Sequence, residues 1–525
     1  MKLRRPFSKP LAIAFVAAIL ASIAGITTLA SPARAATAGA DSAPAAAADE
    51  TGFKPIFNGK DLKGWDGDPQ HWSVKDGSIF GETSTPIKEN TFLIWRQGTV
   101  DDFELRCSYR ISSDWGNSGI QFRSRDMGHW GVNGYQADIE TGDKYTGGLY
   151  DENVRSLALR GQTTTVEPDG HITQGPPVGD PAALEKLVHV KDWNDYDVLV
   201  RGYHMVLSIN GHVMCDVTDN DRAKHARTGI LALQLHVGVP MHIEFKNIRL
   251  RRLKLGDRKK VVMVAGKPSH GHGEHEFNAG TELLKKCLDA NAPQVLTVVY
   301  HNGWPADPTA FDNADAIMLY MDGGPKHPVI ARTRLAQIDH LTKQGVGLLC
   351  AHFAVEVPKD NGGEEFLRWI GGYFETNWSI NPTWNMTKPS LAQNHPITRG
   401  VKPFDIKDEW YYHMRFPEDM KGVTPILSAV PPDSTRNGPD GPYSGNPAVR
   451  AGKGNIEVLS WAVERPDGGR GYGFTGGHYH RNWANDDYRK LMLNAILWVA
   501  KAEVPPDGVN SSVTSEDLKA NLDKK

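Results

Sequence analysis

The hydrophobic pattern of this chain changes once, near residue 256, and the change divides it into two kinds of fold. Upstream, short runs alternate apolar and polar residues with a period of two: DFELRCSYRI, DYDVLVRGYHMVLSINGHVMCDV, GILALQLHV and HIEFKNIRLRRL. Such alternation, broken by Asn-Gly and Asp-Gly turns, marks antiparallel strands with one buried face. Asn210-Gly211, between MVLSI and HVMCDV, predicts a tight hairpin. Downstream, the runs KVVMVAG, VLTVVY, AIMLYM and VGLLCAH are apolar almost throughout. Helical patterns such as FNAGTELLKKCLDAN and ARTRLAQIDHLTKQ lie between them. That alternation predicts a parallel sheet covered on both faces by helices. A length of 525 residues accommodates two such domains. The expected order is an all-β two-sheet sandwich over 51–254 and an α/β domain over 255–502, joined at GDRKK (256–260). A tail over 503–525 should end in a short helix capped by Thr514 or Ser515.

The first 35 residues read as an address. Lys2, Arg4, Arg5 and Lys9 precede an apolar run over 11–30, and Ala33-Arg34-Ala35 offers small residues at a cleavage site. RRPFSK at 4–9 follows the twin-arginine pattern, which routes folded proteins. An uncleaved anchor is the alternative, since about 20 apolar residues span a bilayer. The expectation is an exported protein, periplasmic or secreted, with a flexible Ala-rich leader at 36–50 and no stable membrane span after cleavage. Removing residues 1–35, which carry five basic and no acidic side chains, takes the formal charge from −3 to −8. A mildly acidic chain without a basic cluster excludes nucleic acid as the expected partner. Four cysteines exclude a disulfide framework, and their apolar surroundings predict buried free thiols.

Polar residues collect at four places in the first half. Asn117 and Arg123 bracket NSGIQFR. Gln136, Asp138 and Glu140 alternate along one strand face. Tyr150, Glu152 and Arg155 form a third group, and Trp193 and Gln234 stand in DWN and LQLH. Acids that share a strand face are costly unless solvated or partnered, so the pattern describes either a solvated face or a polar, sugar-sized cleft. Asp138, Glu140 and Glu152 are the candidate catalytic carboxylates. Asn117, Arg123, Gln136, Tyr150, Arg155, Trp193 and Gln234 are candidate substrate contacts, and Trp115 and Trp130 could also stack on sugar rings.

In the second half, the first strand leads into KPSHGHGEHEF, where His270, His272 and His275 are candidate metal ligands. His352 ends VGLLCAH, Glu409 sits in DEWYYH and His478 in GGHYH. Ligands of open α/β sheets bind beyond the carboxyl ends of the strands, so these three are candidate substrate contacts. A divalent metal is the candidate cofactor.

FNGKDLKGW at 57–65 resembles the entry motif of the 3-keto-disaccharide hydrolase domain family. The resemblance continues through NSGIQFRSR, GYQADI, GGLYDE, SINGH and FKNIRLRRL, over about 52–253. It implies a concanavalin-like jelly-roll sandwich and cleavage of glycosides oxidised at sugar C3. Many members carry G-Y-E-x-Q-I-x-D where this chain has GYQADIE, so acid and amide positions are exchanged. The segment over about 259–502 resembles the trehalose-utilisation (ThuA-like) family through the His-rich loop, GVGLLCAHFAVE, DEWYYH and GGHYHRNW. That family is similar to class I glutamine amidotransferases and implies a flavodoxin-like sheet. His352 stands where an amidotransferase has its nucleophilic Cys, which argues against a glutaminase.

A C3 ketone acidifies the neighbouring C2–H, so a base can remove that proton and the C1 substituent can leave. Such a site needs a carboxylate or His base, plus positive charge at the enolate oxygen. The expectation is an exported carbohydrate-active enzyme taking an oligosaccharide or keto-sugar and working by hydrolysis or elimination–hydration. Two alternatives stand beside it: a non-catalytic glycan-binding sandwich, or catalysis confined to the α/β domain.

Overall fold

The computed structural model describes residues 49–331 and 333–525. The expected signal segment and nearly all of the leader lie outside them. Residues 51–525 form one compact unit that contains both folds.

The first fold is a sandwich of two sheets. Among the described residues, the larger sheet centres on Asn194–Arg201, Phe103–Ile111 and Met241–Arg252. The smaller runs in the order Arg155–Ala158, Leu149–Asp151, Gly131–Glu140, Asn117–Gly128, Ile230–Leu235, Thr91–Trp95 and Trp65–Asp66. The expected hairpin joins His204–Ile209 to His212–Asp219. Its Asn210 and Gly211 both take positive φ, 52° and 79°, as a two-residue turn matched to strand twist requires.

Period-2 alternation decides what faces the core. Leu105, Val198, Leu207 and Phe245 of the larger sheet meet Phe122, Tyr135, Ala137, Ile139 and Leu233 of the smaller. The same alternation turns Gln121, Gln136, Asp138 and Gln234 to the opposite face of the smaller sheet. A polar surface there follows from an apolar interior.

In the second fold, five parallel strands lie in the spatial order Val295–Tyr300, Lys259–Ala265, Ala316–Tyr320, Gly347–Ala351 and Arg470–Phe474. Counted along the chain, that order is 2-1-3-4-5. The helices Phe277–Asn291 and Asp486–Val499 bury one face of the sheet through Phe277, Leu284, Leu288, Leu491 and Ile496. Arg334–Lys343 and Glu364–Trp369 cover the other through Ile338, Leu341, Phe366 and Trp369. The alternation of strand and helix holds only in part. Beyond Arg470–Phe474 the sheet continues antiparallel through Glu457–Glu464, Val423–Ala429 and Ser390–Leu391. Short strands and 3₁₀ turns occupy much of 352–456 in place of long helices.

The expected junction is a buried charge cluster. Lys260 Nζ lies 2.5 Å from Asp101 Oδ2, and Arg252 lies 2.8 Å from Asp307 and 3.6 Å from Asp101. Asn313 donates to Asp101 at 2.9 Å. Asp101 belongs to the sandwich, and Asp307 and Asn313 belong to the α/β fold. The two folds therefore share two cations and two anions, which balance inside the protein. The tail helix Ser515–Lys519 starts with a capping box on Thr514 and Asp517. Cys107, Cys215, Cys287 and Cys350 are buried free thiols, as expected.

Candidate functional site

On the outer face of the smaller sheet, neighbouring strands bring amides and acids together. Gln136 Nε2 donates to Asp138 Oδ1 at 2.9 Å. Asn90 Nδ2 donates to Glu152 Oε1 at 2.9 Å, and Gln234 Nε2 approaches Glu152 Oε2 at 3.4 Å. Gln234 Oε1 is buried without a protein partner. A buried orphan acceptor is costly, and it points to a water or ligand donor in this cleft.

The two acids sit in different environments. Burial pushes the Asp138 carboxyl up to about 8; the Gln136 hydrogen bond opposes the shift, and the charges of Glu152 and Glu140 add to it. Burial also raises Glu152, but the hydrogen bond from Asn90, the charge of His236 and the hydrogen bond from Gln234 pull it back. Burial raises the Tyr150 phenol, and Glu152 and Asp138 raise it further, so it is a neutral donor. A carboxyl protonated at neutral pH beside a second carboxyl that accepts hydrogen bonds from two amides is an arrangement an acid–base pair can use.

Several expected contacts belong elsewhere. Glu140 shares the face of Asp138, but its carboxylate accepts the backbone N–H groups of Lys144 (2.9 Å) and Tyr145 (2.5 Å). It holds a turn and lines a separate cavity of about 350 Å³ with Arg160 and His189. Arg123 is buried against Asp102 at 2.7 Å and against the carbonyls of Asp101 and Gly202. Arg155 is surrounded by Asp151, Asp219 and Asp221 at 3.2, 2.5 and 2.8 Å. Both cations are consumed inside the fold, because each faces carboxylates that would otherwise be buried unpaired. Trp193 lies on the larger sheet under Lys246 and Arg110, at 3.7 and 4.8 Å from its ring. Asn117 pairs with Glu140 across the strands and adds nothing to the acid cluster. Trp130 donates to Asp66. Trp115 is 40% exposed and packs edge-on to His236. His236 closes the LQLH stretch beside Gln234, whereas Asn90 lies on a connection with no distinguishing sequence pattern.

A second cluster forms at the carboxyl ends of the parallel strands. His275 comes from the loop after Lys259–Ala265, His352 follows Gly347–Ala351 and His478 follows Arg470–Phe474. Glu409 ends the short strand Ile406–Glu409. His275 Nε2 lies 3.1 Å from His352 Nε2 and 3.1 Å from His478 Nδ1. Glu409 Oε2 lies 3.5 Å from His352 Nε2 and 3.3 Å from His478 Nδ1. The four groups offer donor atoms that all lie within 4.8 Å of one another, an arrangement able to hold a metal.

The surroundings fix these rings. Asp322 Oδ1 lies 3.0 Å from His275 Nδ1, and the Thr475 carbonyl lies 3.0 Å from His352 Nδ1. Burial opposes ionisation of Glu409, but the facing imidazoles of His352 and His478 hold it well below the usual carboxylate range. Burial drives His275 far down, and the neighbouring histidines push it the same way. His275 and His352 take φ of 46° and 56°, sparsely populated for residues with a Cβ, and such strain persists where the surroundings over-determine it.

His352, Glu409 and His478, expected as sugar contacts, thus lie with His275 in one cluster able to hold a metal. His270 stacks on His275 with ring centroids 3.6 Å apart and belongs to a second group with His275 and Asp322. His272 joins neither group and lines a groove beside Tyr479 and Arg481. Asp322 was missed; its signal was its position just past the strand AIMLY. Cys350 lies fully buried in its apolar strand.

Comparison with known proteins divides the chain in the same way. Residues 52–251 match the family model of the 3-keto-alpha-glucoside-1,2-lyase-like domain, and residues 260–499 match that of trehalose utilisation. No curated protein matches the chain. Among solved structures, a candidate glycosyl hydrolase from Parabacteroides distasonis is 20% identical, covering 38% of this chain and 99% of its own, with a TM-score of 0.27. A candidate ThuA-like protein from Bacteroides uniformis is 15% identical, covering 46% of this chain and 91% of its own, with a TM-score of 0.34. A carbohydrate-binding module from Bacillus subtilis is 14% identical, covering 36% and 95%, with a TM-score of 0.25. One chain thus carries, in succession, a match to the 3-keto-alpha-glucoside-1,2-lyase-like domain family and a match to the trehalose-utilisation family.

Proposed function

We propose that this protein is an exported enzyme that cleaves 3-keto-glycosides by elimination and rehydration in the sandwich domain. The observation that carries the reading is the pair Asp138 and Glu152, two carboxyls on one polar face, one raised by burial to about 8 and the other accepting hydrogen bonds from Asn90 and Gln234. The match of residues 52–251 to a 3-keto-alpha-glucoside-1,2-lyase-like domain supports the substrate class. The basic, apolar and small-residue order of residues 1–35 supports export.

In this reading Glu152, which accepts hydrogen bonds from Asn90 and Gln234, takes the proton from C2. The electron pair of the C2–H bond passes to the C3 carbonyl as an enolate, which the Tyr150 hydroxyl steadies by donating a hydrogen bond. The enolate then collapses to form C1=C2 as the C1–O bond breaks, and Asp138 gives its proton to the departing oxygen. Water adds back across the double bond to yield the 3-keto sugar. Asp138, raised to about 8, holds near neutral pH the proton its step needs.

The test is turnover of a 3-keto-disaccharide by the full chain. Asp138→Asn and Glu152→Gln should each lower kcat at least about 100-fold, the range of a lost general acid or base, while binding persists. Unchanged turnover in both variants sinks the assignment. The exposed Trp115 ring favours a second reading, a glycan-binding sandwich without catalysis. It predicts binding by the parent with no sandwich-dependent turnover.

A further inference from the structure

The α/β domain crowds several lone pairs around one point. His352 Nδ1 lies 3.0 Å from the Thr475 carbonyl, which only accepts, so Nδ1 carries the hydrogen and Nε2 presents a lone pair. His275 Nδ1 lies 3.0 Å from the Asp322 carboxylate, so the same logic leaves His275 Nε2 a lone pair as well. These two Nε2 atoms face each other at 3.1 Å. The Glu409 carboxylate adds a third acceptor, 3.5 Å from His352 Nε2. The Tyr411 hydroxyl, 3.3 Å from His352 Nε2, can answer one of these acceptors, and a single His478 Nδ1–H, 3.1 Å from His275 Nε2 and 3.3 Å from Glu409, must be shared between the other two. Acceptors crowded this closely around so few protons are relieved most fully by a cation among them.

The spacing identifies the cation. Zinc-type ions bind His nitrogen and carboxylate oxygen at about 2.0–2.2 Å in a tetrahedron. A tetrahedron of that radius has edges of about 3.4 Å by its geometry. Four of the six edges among the donor atoms are 3.1, 3.1, 3.3 and 3.5 Å, and all six lie within 4.8 Å, so the set can enclose one ion in a flattened rather than regular tetrahedron. Two ligands also have the outer partners that orient metal-bound imidazoles, a carboxylate on His275 and a backbone carbonyl on His352. Three neutral nitrogens and one carboxylate suit a borderline divalent ion better than the hard, all-oxygen calcium or magnesium.

We propose that the α/β domain holds one divalent transition-metal ion of the zinc class, bound by His275 Nε2, His352 Nε2, His478 Nδ1 and Glu409 Oε2. This centre is separate from the Asp138–Glu152 cleft, and the proposal does not rest on the reading of that cleft. It gives the chain a second site able to polarise a carbonyl or hydroxyl oxygen. The Asp322 side chain remains 38% exposed beside His275, which leaves the centre a solvent-facing side.

The experiment uses the purified full chain, stripped with a chelator and titrated with Zn²⁺ and with Co²⁺. One ion should bind per chain, and Co²⁺ should give the intense visible bands of a four- or five-coordinate site. His352→Ala and Glu409→Gln should abolish uptake at equimolar metal, with folding checked by circular dichroism. Asp322→Asn touches no metal and should fold normally, while weakening affinity about 10–100-fold. His272→Ala and Asp138→Asn should bind like the parent. The proposal is overturned if the folded parent takes up no ion, so that a shared proton answers the lone pairs. It is overturned equally if the folded His352 and Glu409 variants bind as the parent does. Either result leaves the sandwich reading standing, because that rests on turnover lost through Asp138 and Glu152.

Discussion

Lys260 Nζ of the α/β sheet lies 2.5 Å from Asp101 Oδ2 of the sandwich, and both side chains are almost wholly buried. Burial lowers the Lys260 ammonium to about 8 against the pull of Asp101, so at neutral pH the pair remains charged. Lys260→Met removes one charge and strands the other, with Arg252 at 3.6 Å as the nearest remaining cation. Breaking one side of a buried pair costs about 3–5 kcal/mol. The urea midpoint should fall accordingly, and the two folds should begin to unfold separately. A variant that unfolds in one transition at the parental midpoint would show that the junction contributes nothing.

Much of this fold is written in side-chain periodicity. Alternation over 131–140 places Tyr135, Ala137 and Ile139 in the core and Gln136 and Asp138 outside it, and the structure keeps that register. The candidate sites were legible where chemistry concentrates in a short stretch, as in HGHGEHE and GGHYH. What the sequence leaves open is reach. Arg155 reads as a cation beside a site, yet three aspartates turn it inward, two of them more than sixty residues away. His272 and His275 are three residues apart in one loop, and only the positive φ at His275 aims that ring at His352. Such distinctions depend on loop geometry and long-range partners, which no local pattern encodes.

Arg155 offers a direct check of that division. Arg155→Met leaves Asp151, Asp219 and Asp221 facing one another in a buried pocket. The expected effect is a stability loss of about 3–5 kcal/mol by thermal or urea unfolding. In the fraction that stays folded, KM for the keto-sugar should be unchanged. A selective rise in KM without loss of stability would return Arg155 to the substrate.

Glu140 should behave unlike its strand neighbour. Its carboxylate holds the N–H groups of Lys144 and Tyr145, so Glu140→Gln keeps one acceptor and loses a charge-assisted bond. A cost of about 1–2 kcal/mol follows, with kcat near the parental value. A loss of turnover comparable to that of Asp138→Asn would place Glu140 in the chemistry after all.

Asp138 ties stability to pH in a direction that can be worked out. Its folded pKa is raised from 3.8 to about 8, chiefly by burial. Between those values the native protein binds more protons than the unfolded chain, so this group makes stability fall as pH rises. Its contribution is fully present below about pH 4 and is lost as pH passes through about 8. Each unit within that window weakens the fold by up to about 1.4 kcal/mol. Asp138→Asn removes the titration while keeping the shape and the neutral state. Parent and variant should therefore be nearly equal in stability at pH 4, and the variant should be the more stable by a few kcal/mol at pH 9. The same ionisation removes the acid that protonates the leaving oxygen, so parental kcat should decline above about pH 8. Stability curves that run parallel from pH 4 to 9 would mean that Asp138 titrates as an ordinary carboxylate. The acid would then have to be sought elsewhere on that face, with Tyr150 the first alternative.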